Sequence, residues 1–115
     1  PVARDAAGTL AGVQAVIDKD HCSALLAREL GADFLLLATD VAAVYENWGT
    51  AQARPIRAIS PDGLAGYRFA PGSMEPKVNA ARDFAARTGK TAAIGAMHEL
   101  SAILRGEAGT TIRRA

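Results

Sequence analysis

Phe34-Leu35-Leu36-Leu37-Ala38-Thr39-Asp40 is the stretch on which the fold turns. Its first residues are apolar without interruption, with no polar position at every second place. A strand of that kind needs cover on both faces, which a parallel strand between two layers of helices has. The run stops at Thr39 and Asp40, and in open α/β sheets ligands sit at the carboxyl ends of the strands.

Upstream, Asp18 to Leu30 reads as a helix. Ala24, Leu25, Leu26 and Leu30 recur at helical spacing, Asp18 or Asp20 can cap its start, and Gly31 is placed to end it. Further back, Val2 to Arg4 and Gly12 to Val16 look like two extended stretches, joined by Asp5-Ala6-Ala7-Gly8-Thr9 with hairpin turn chemistry. Downstream, Asp40 to Arg57 reads as a long irregular connection carrying Tyr45, Trp48, Gly49 and Pro55. Ser60-Pro61 opens a short helix. Phe69 to Pro76 reads as a loop, Lys77 to Thr88 as a helix stopped at Gly89, and Thr91 to Gly95 as a small-residue strand. Met97 to Leu104 is a third helix closed by Gly106, and Thr110 to Ile112 a last strand. Strands alternating with helices imply a mostly parallel sheet with helices on both faces, a three-layer α/β/α sandwich. Three or four short strands make a thin sheet, so the fold reads as partial.

Composition agrees. Half of the 115 residues are apolar but only 5% are aromatic, a balance suited to helices packed closely on a sheet. Thirteen basic and twelve acidic residues leave a net charge of +1, too little to argue for nucleic acid or a membrane surface. The single cysteine, Cys22, excludes an internal disulfide and fits a reducing, cytoplasmic compartment. The apolar run Phe34 to Ala38 is far too short to cross a bilayer. Pro1 rather than Met opens the chain, which reads as a truncated or processed start.

Three features can carry chemistry, and each has a plainer explanation. Asp18-Lys19-Asp20 sets a lysine between two carboxylates at a helix start, where free N–H groups and the helix dipole favour an anion. The plainer explanation is a solvated cap. In Gly72-Ser73-Met74-Glu75-Pro76-Lys77, Gly72 allows close backbone approach and Lys77 emerges near a helix start, as a phosphate cradle requires; an ordinary loop also fits. Thr39-Asp40-Val41-Ala42-Ala43-Val44-Tyr45 ends the central strand, where Thr39 or Asp40 can bond a ribose or phosphate and Tyr45 can pack on a base. It also fits a strand-ending turn with a core tyrosine. Thr88-Gly89-Lys90-Thr91 resembles the end of a Walker A loop, but Phe84 stands where a glycine is needed and the order is helix, loop, strand. His21 and His98 have no partners at metal-ligand spacing, and no Gly-x-Ser-x-Gly elbow is present.

Taken together, the three features resemble the amino-acid kinase family and, within it, the carbamate kinases. The resemblance runs in order through Gly12-Val13-Gln14-Ala15-Val16-Ile17-Asp18-Lys19-Asp20, the Thr39–Tyr45 stretch, Gly72-Ser73-Met74-Glu75-Pro76-Lys77-Val78, Ala92-Ala93-Ile94-Gly95 and Gly106-Glu107-Ala108-Gly109-Thr110-Thr111. It implies reversible phosphoryl transfer between ATP and carbamate, giving ADP and carbamoyl phosphate, often closing arginine breakdown. It implies a homodimer and no covalent enzyme intermediate. Lys19 and Lys77 would hold the transferring phosphoryl oxygens and Asp20 would orient them. Thr39, Asp40, Tyr45, Gly72, Ser73 and Met74 would contact the nucleotide, and Mg²⁺ would ride mainly on the phosphates rather than on protein ligands.

Two positions depart from the family pattern. Ala42 stands in place of an Asp, and Glu75 in place of a Gly. The resemblance also implies that residues 1–115 are the C-terminal nucleotide-binding part of such a kinase. The glycine-rich loop, another lysine and most of the carbamate site would belong to an amino-terminal half not included in them. A nucleotide binder without catalysis, or a sibling kinase acting on an amino acid or nucleotide, would share the fold.

Overall fold

The computed structural model describes residues 1–15 and 18–114. A hairpin comes first, β1 (Val2–Arg4) and β2 (Leu10–Gly12), antiparallel with Val2 opposite Gly12. The Asp5 carboxylate accepts from the N–H groups of Ala7 and Thr9 and so shapes the turn between them. The second strand therefore precedes most of the expected Gly12–Val16 stretch. Val16 and Ile17 lie outside the described residues.

Helix α1 (Lys19–Glu29) starts where a cap is available. The Asp18 side chain accepts from the backbone N–H of Asp20 at 2.9 Å and of His21 at 3.4 Å. It ends with Gly31 N–H on Arg28 O and Ala32 N–H on Ala27 O, the paired closure expected at that glycine. Strand β3 (Phe34–Thr39) follows, parallel to β7 (Thr91–Ala96) from Phe34 opposite Thr91 to Thr39 opposite Ala96.

The stretch expected to be an irregular connection contains a second hairpin, β4 (Val44–Glu46) and β5 (Arg54–Ile56), and then a two-residue strand, β6 (Ala58–Ile59). A 3-10 turn spans Gly63–Gly66, with Ser60 Oγ accepting from Gly63 N–H. Helix α2 spans Met74–Thr88, so Met74, Glu75 and Pro76 are helical rather than loop. Proline is tolerated there because the first helical turn has no internal acceptor for its missing N–H. The expected third helix is a 3-10 turn, Met97–Glu99, running into α3 (Leu100–Leu104). β8 (Thr110–Ile112) closes the sheet.

The main sheet has the order β3-β7-β8-β6. β3 with β7 and β6 with β8 are parallel, and β7 with β8 is antiparallel, giving a mixed, largely parallel sheet. The pleat sorts the apolar run of β3 between two faces. Leu35 and Leu37 join Ala24 of α1, Val78, Ala81 and Phe84 of α2, and Ile94 and Ile112 in the larger core. Phe34 and Leu36 turn the other way, toward Ile103 of α3 and Ala108. Cover on both faces is what the uninterrupted run implied. Among the described residues no helix is long and apolar enough to cross a membrane.

Candidate functional site

Both long helices begin at the same place. Asp20, in the first turn of α1, is buried, its side chain only 10% exposed. Its Oδ1 receives Lys19 Nζ at 3.1 Å and its Oδ2 receives Lys77 Nζ, from the first turns of α2, at 3.2 Å. Residues 57 positions apart thus meet on one carboxylate. The two ammonium groups are held differently: the Lys77 side chain is 14% exposed, that of Lys19 79%. The hydrogen bond to Asp20 raises the Lys19 ammonium above its ordinary 10.5. Beside them, Asp18 bonds the His21 ring at 2.8 Å, which with the cap bonds holds its carboxyl below the ordinary 3.8.

A cleft of about 810 Å³ opens next to this cluster. One side is the carboxyl end of β3 with Thr39, Asp40 and Val41. A second is the β4–β5 hairpin with Tyr45, Glu46, Asn47 and Trp48. A third is the segment Gly66–Ala70, and the start of α2 supplies Ser73, Met74 and Lys77. Aromatic rings occupy two of these sides. Tyr45 and Trp48 have centroids 5.1 Å apart, and Tyr67 and Phe69 lie nearly parallel at 6.2 Å. The cleft is therefore flat-faced and apolar in one part, cationic and hydroxyl-bearing in the other.

Of the residues the sequence singled out, Thr39, Asp40, Tyr45, Ser73, Met74 and Lys77 line this cleft, and Lys19 and Asp20 join it through Lys77. Gly72 is not part of its lining; it turns the chain into α2 at φ 81°, a conformation open to glycine. Ser73 sits at the cap position without making a side-chain cap bond, so its hydroxyl is not spent on the helix. Glu75, whose charge would oppose an anion, lines a separate groove with Asn79 and Arg82 on the other side of the Tyr67–Pro71 strap. Trp48, Tyr67, Arg68 and Phe69 line the cleft without having been singled out as site residues. The Tyr45–Trp48 spacing across a turn ending in Gly49 was a usable signal for the first of them.

The second hairpin is held in place from a distance. Thr110, fully buried at the start of β8, accepts from Val44 N–H at 2.9 Å and donates to Ile56 O. Its hydroxyl thus links the first residue of β4 to the last of β5.

Among the described residues no group of three His, Cys, Asp or Glu side chains gathers as a metal site would require. The side-chain oxygens on the cleft lining include the Asp40 carboxylate and the Thr39 hydroxyl, 3.3 Å apart, the Ser73 hydroxyl and the Glu46 carboxylate, which Arg54 pairs. That donor set suits a hydrated Mg²⁺ delivered by phosphates better than an all-protein cage.

Fold and site define a class: an α/β sandwich with a candidate anion site where the carboxyl edge of the sheet meets two helix starts. Residues 2–95 match the amino acid kinase family, and the chain belongs to it. It is 53% identical to a carbamate kinase of Rhizobium meliloti (strain 1021) over 90% of its length, and 47% identical to one of Haemophilus influenzae over 99%. It spans 32% and 37% of those relatives, about a third of their length. Among solved structures, carbamate kinase from Giardia lamblia bound to AMP-PNP superposes with a TM-score of 0.93 at 35% identity, over all of this chain and 41% of that one. Uridylate kinase from Archaeoglobus fulgidus shares the fold, with a TM-score of 0.66 at 23% identity.

Proposed function

We propose that this chain is the C-terminal, nucleotide-holding part of a carbamate kinase and acts with the remainder of a longer polypeptide. The reaction would be ATP + carbamate = ADP + carbamoyl phosphate. One observation carries the reading: two lysines distant in sequence share the Asp20 carboxylate at the mouth of a cleft with a flat apolar part. A nucleoside triphosphate has the matching parts, a planar base and a row of anionic oxygens. The resemblance to carbamate kinases, one of them holding AMP-PNP, supports the same choice.

In this reading Lys19 and Lys77 bind the oxygens of the transferring phosphoryl group, and Asp20 fixes Lys77 while tethering the more exposed Lys19. The start of α2 adds its dipole and, with Ser73, hydrogen-bond donors. Thr39 and Asp40 meet the ribose or the phosphate-borne Mg²⁺, and Tyr45 and Met74 meet the base. The phosphoryl group passes in line from the ADP oxygen to a carbamate oxygen, so the protein supplies position and charge rather than a nucleophile. The carbamate pocket, a homodimer contact and a cytoplasmic setting would go with the whole enzyme.

The test is carbamate-dependent transfer by the full-length protein. Lys19→Ala and Lys77→Ala should each lower kcat/KM by about a hundred- to a thousandfold, the scale of losing one charge stabiliser of a transition state. Turnover within a few-fold of wild type in both variants would end the assignment. A second reading is nucleotide binding without transfer, favoured by Ala42, which stands where the family pattern has an Asp. ATP binding by calorimetry with no transfer in the full-length protein would select it.

A further inference from the structure

The β4–β5 hairpin forms a sheet of its own, outside the β3-β7-β8-β6 sheet, yet it supplies Tyr45, Glu46, Asn47 and Trp48 to the cleft. Thr110 seats it from behind. The register of the main sheet sets Thr110 level with Ile94 and Leu37, two residues short of Thr39 at the carboxyl end of β3. Its side chain is fully buried and off the cleft lining, and its hydroxyl accepts from Val44 N–H and donates to Ile56 O. Val44 and Ile56 stand opposite each other where the hairpin opens, so one hydroxyl holds both strands at that end. Successive side chains of a strand point to opposite faces: Val44 goes into the core and Tyr45, the next residue, to the cleft. A shift of the backbone at Val44 is therefore carried straight to the cleft wall.

We propose that Thr110 is a positioning residue for nucleotide binding: its hydroxyl fixes where the β4–β5 wall of the cleft stands relative to the end of β3, without touching the ligand. This rests on the nucleotide reading above and goes beyond it by giving a buried residue outside the cleft control over affinity. The mechanism is a change of hydrogen-bond partners. A buried backbone N–H or C=O needs a partner, and with the hydroxyl gone the partner left to Val44 N–H and to Ile56 O is the other of the two. Closing on each other draws the two strands together and off β8, and the wall moves with them. Valine at this position keeps the shape of threonine, so the movement comes from the lost hydrogen bonds and not from a cavity.

The test uses the full-length protein at a temperature where circular dichroism shows each variant folded. Calorimetry should find Mg²⁺-ATP bound about tenfold more weakly by Thr110→Val, the low end of what an aromatic contact to a base is worth. Inorganic tripolyphosphate, which needs only the lysine end of the cleft, should bind as it does to wild type. Thr110→Ser should bind both ligands like wild type. In carbamate-dependent transfer the KM for ATP of Thr110→Val should rise about as far as its affinity falls, with kcat at saturating ATP within a few-fold of wild type. A protein that is merely less stable has fewer competent sites, so it loses both ligands and kcat together and keeps its KM. Should Thr110→Val not fold, Thr110→Cys takes its place: a thiol is the weaker donor and acceptor, and the cysteine protein should bind Mg²⁺-ATP several-fold more weakly than the serine protein. Equal Mg²⁺-ATP affinity in the compared pair, or loss of tripolyphosphate along with ATP, overturns the role of Thr110 and leaves the nucleotide reading standing. Wild-type protein that binds neither ligand overturns both.

Discussion

Replacing Thr110 by valine isolates what holds the second hairpin against the sheet. Valine has nearly the same shape, so no cavity opens, but the hydroxyl that accepts from Val44 N–H and donates to Ile56 O is gone. Thr110 and Val44 are fully buried and Ile56 nearly so, leaving water poor access to replace the hydroxyl at the two backbone groups, which face each other in the hairpin ladder. Each buried group that loses its partner costs about 1–3 kcal/mol, so the pair costs roughly 2–6 kcal/mol, and the added methyl returns no more than about 1. A net loss of about 1–5 kcal/mol at this chain length lowers Tm by roughly 4–20 °C. Thr110→Ser keeps the hydroxyl and gives up one methyl, a loss of about 1 kcal/mol. Thermal melts and urea midpoints of the two variants therefore rank valine well below serine. A Thr110→Val protein as stable as Thr110→Ser would refute the account, showing that the bridge contributes less than a methyl group does.

Other outcomes follow from the same geometry. Asp20→Asn removes the charge that the largely buried Lys77 faces and should cost about 2–3 kcal/mol in urea unfolding, the scale of a hydrogen bond to a charged group, besides weakening transfer. Lys19→Met, by contrast, should leave the urea midpoint unchanged, because the Lys19 side chain is mostly in solvent, while transfer falls sharply. Gly95→Ala should cost about 1–3 kcal/mol by overpacking: a Cβ there lies 2.6 Å from Ile103 Cδ1 and 3.2 Å from Gly109 Cα, and a melt at or above wild type would contradict it. The depressed Asp18 carboxyl favours the folded state above pH 3.8, and that contribution is lost as pH falls from there through its folded value. In His21→Ala an NMR titration should find the Asp18 pKa moved up toward 3.8.

The starts of the helices were legible because caps are local: Asp18 reaches amides two and three residues away, and any sequence with that spacing can do the same. Strand β3 was legible because an apolar run too short for a buried helix still needs cover on both faces. The β4–β5 hairpin was not. Its strands are three residues long, one carries Pro55, and the hydroxyl that pins it lies 66 residues beyond Val44. The start of α2 was read at Lys77, three residues late, with Pro76 left in the preceding loop although proline fits within a first turn. Asp18-Lys19-Asp20 read locally is a charged cap. Only the family resemblance placed Lys77 beside it, since the approach of the two helix starts depends on how α1 and α2 pack.

The uneven anchoring of the two lysines divides labour between them. Lys77 is a fixed post, wedged at the foot of its helix with little room to turn. Lys19 is a swinging arm: its ion pair with Asp20 is exposed and cheap to break, and leaving it frees the side chain to reach outward. An anion arriving at this doorway would be met first by the arm and then drawn against the post. If a phosphoryl group moves here between two acceptors, as proposed, the arm would follow it and the post would not. Capture and escort would therefore belong to Lys19, and alignment to Lys77.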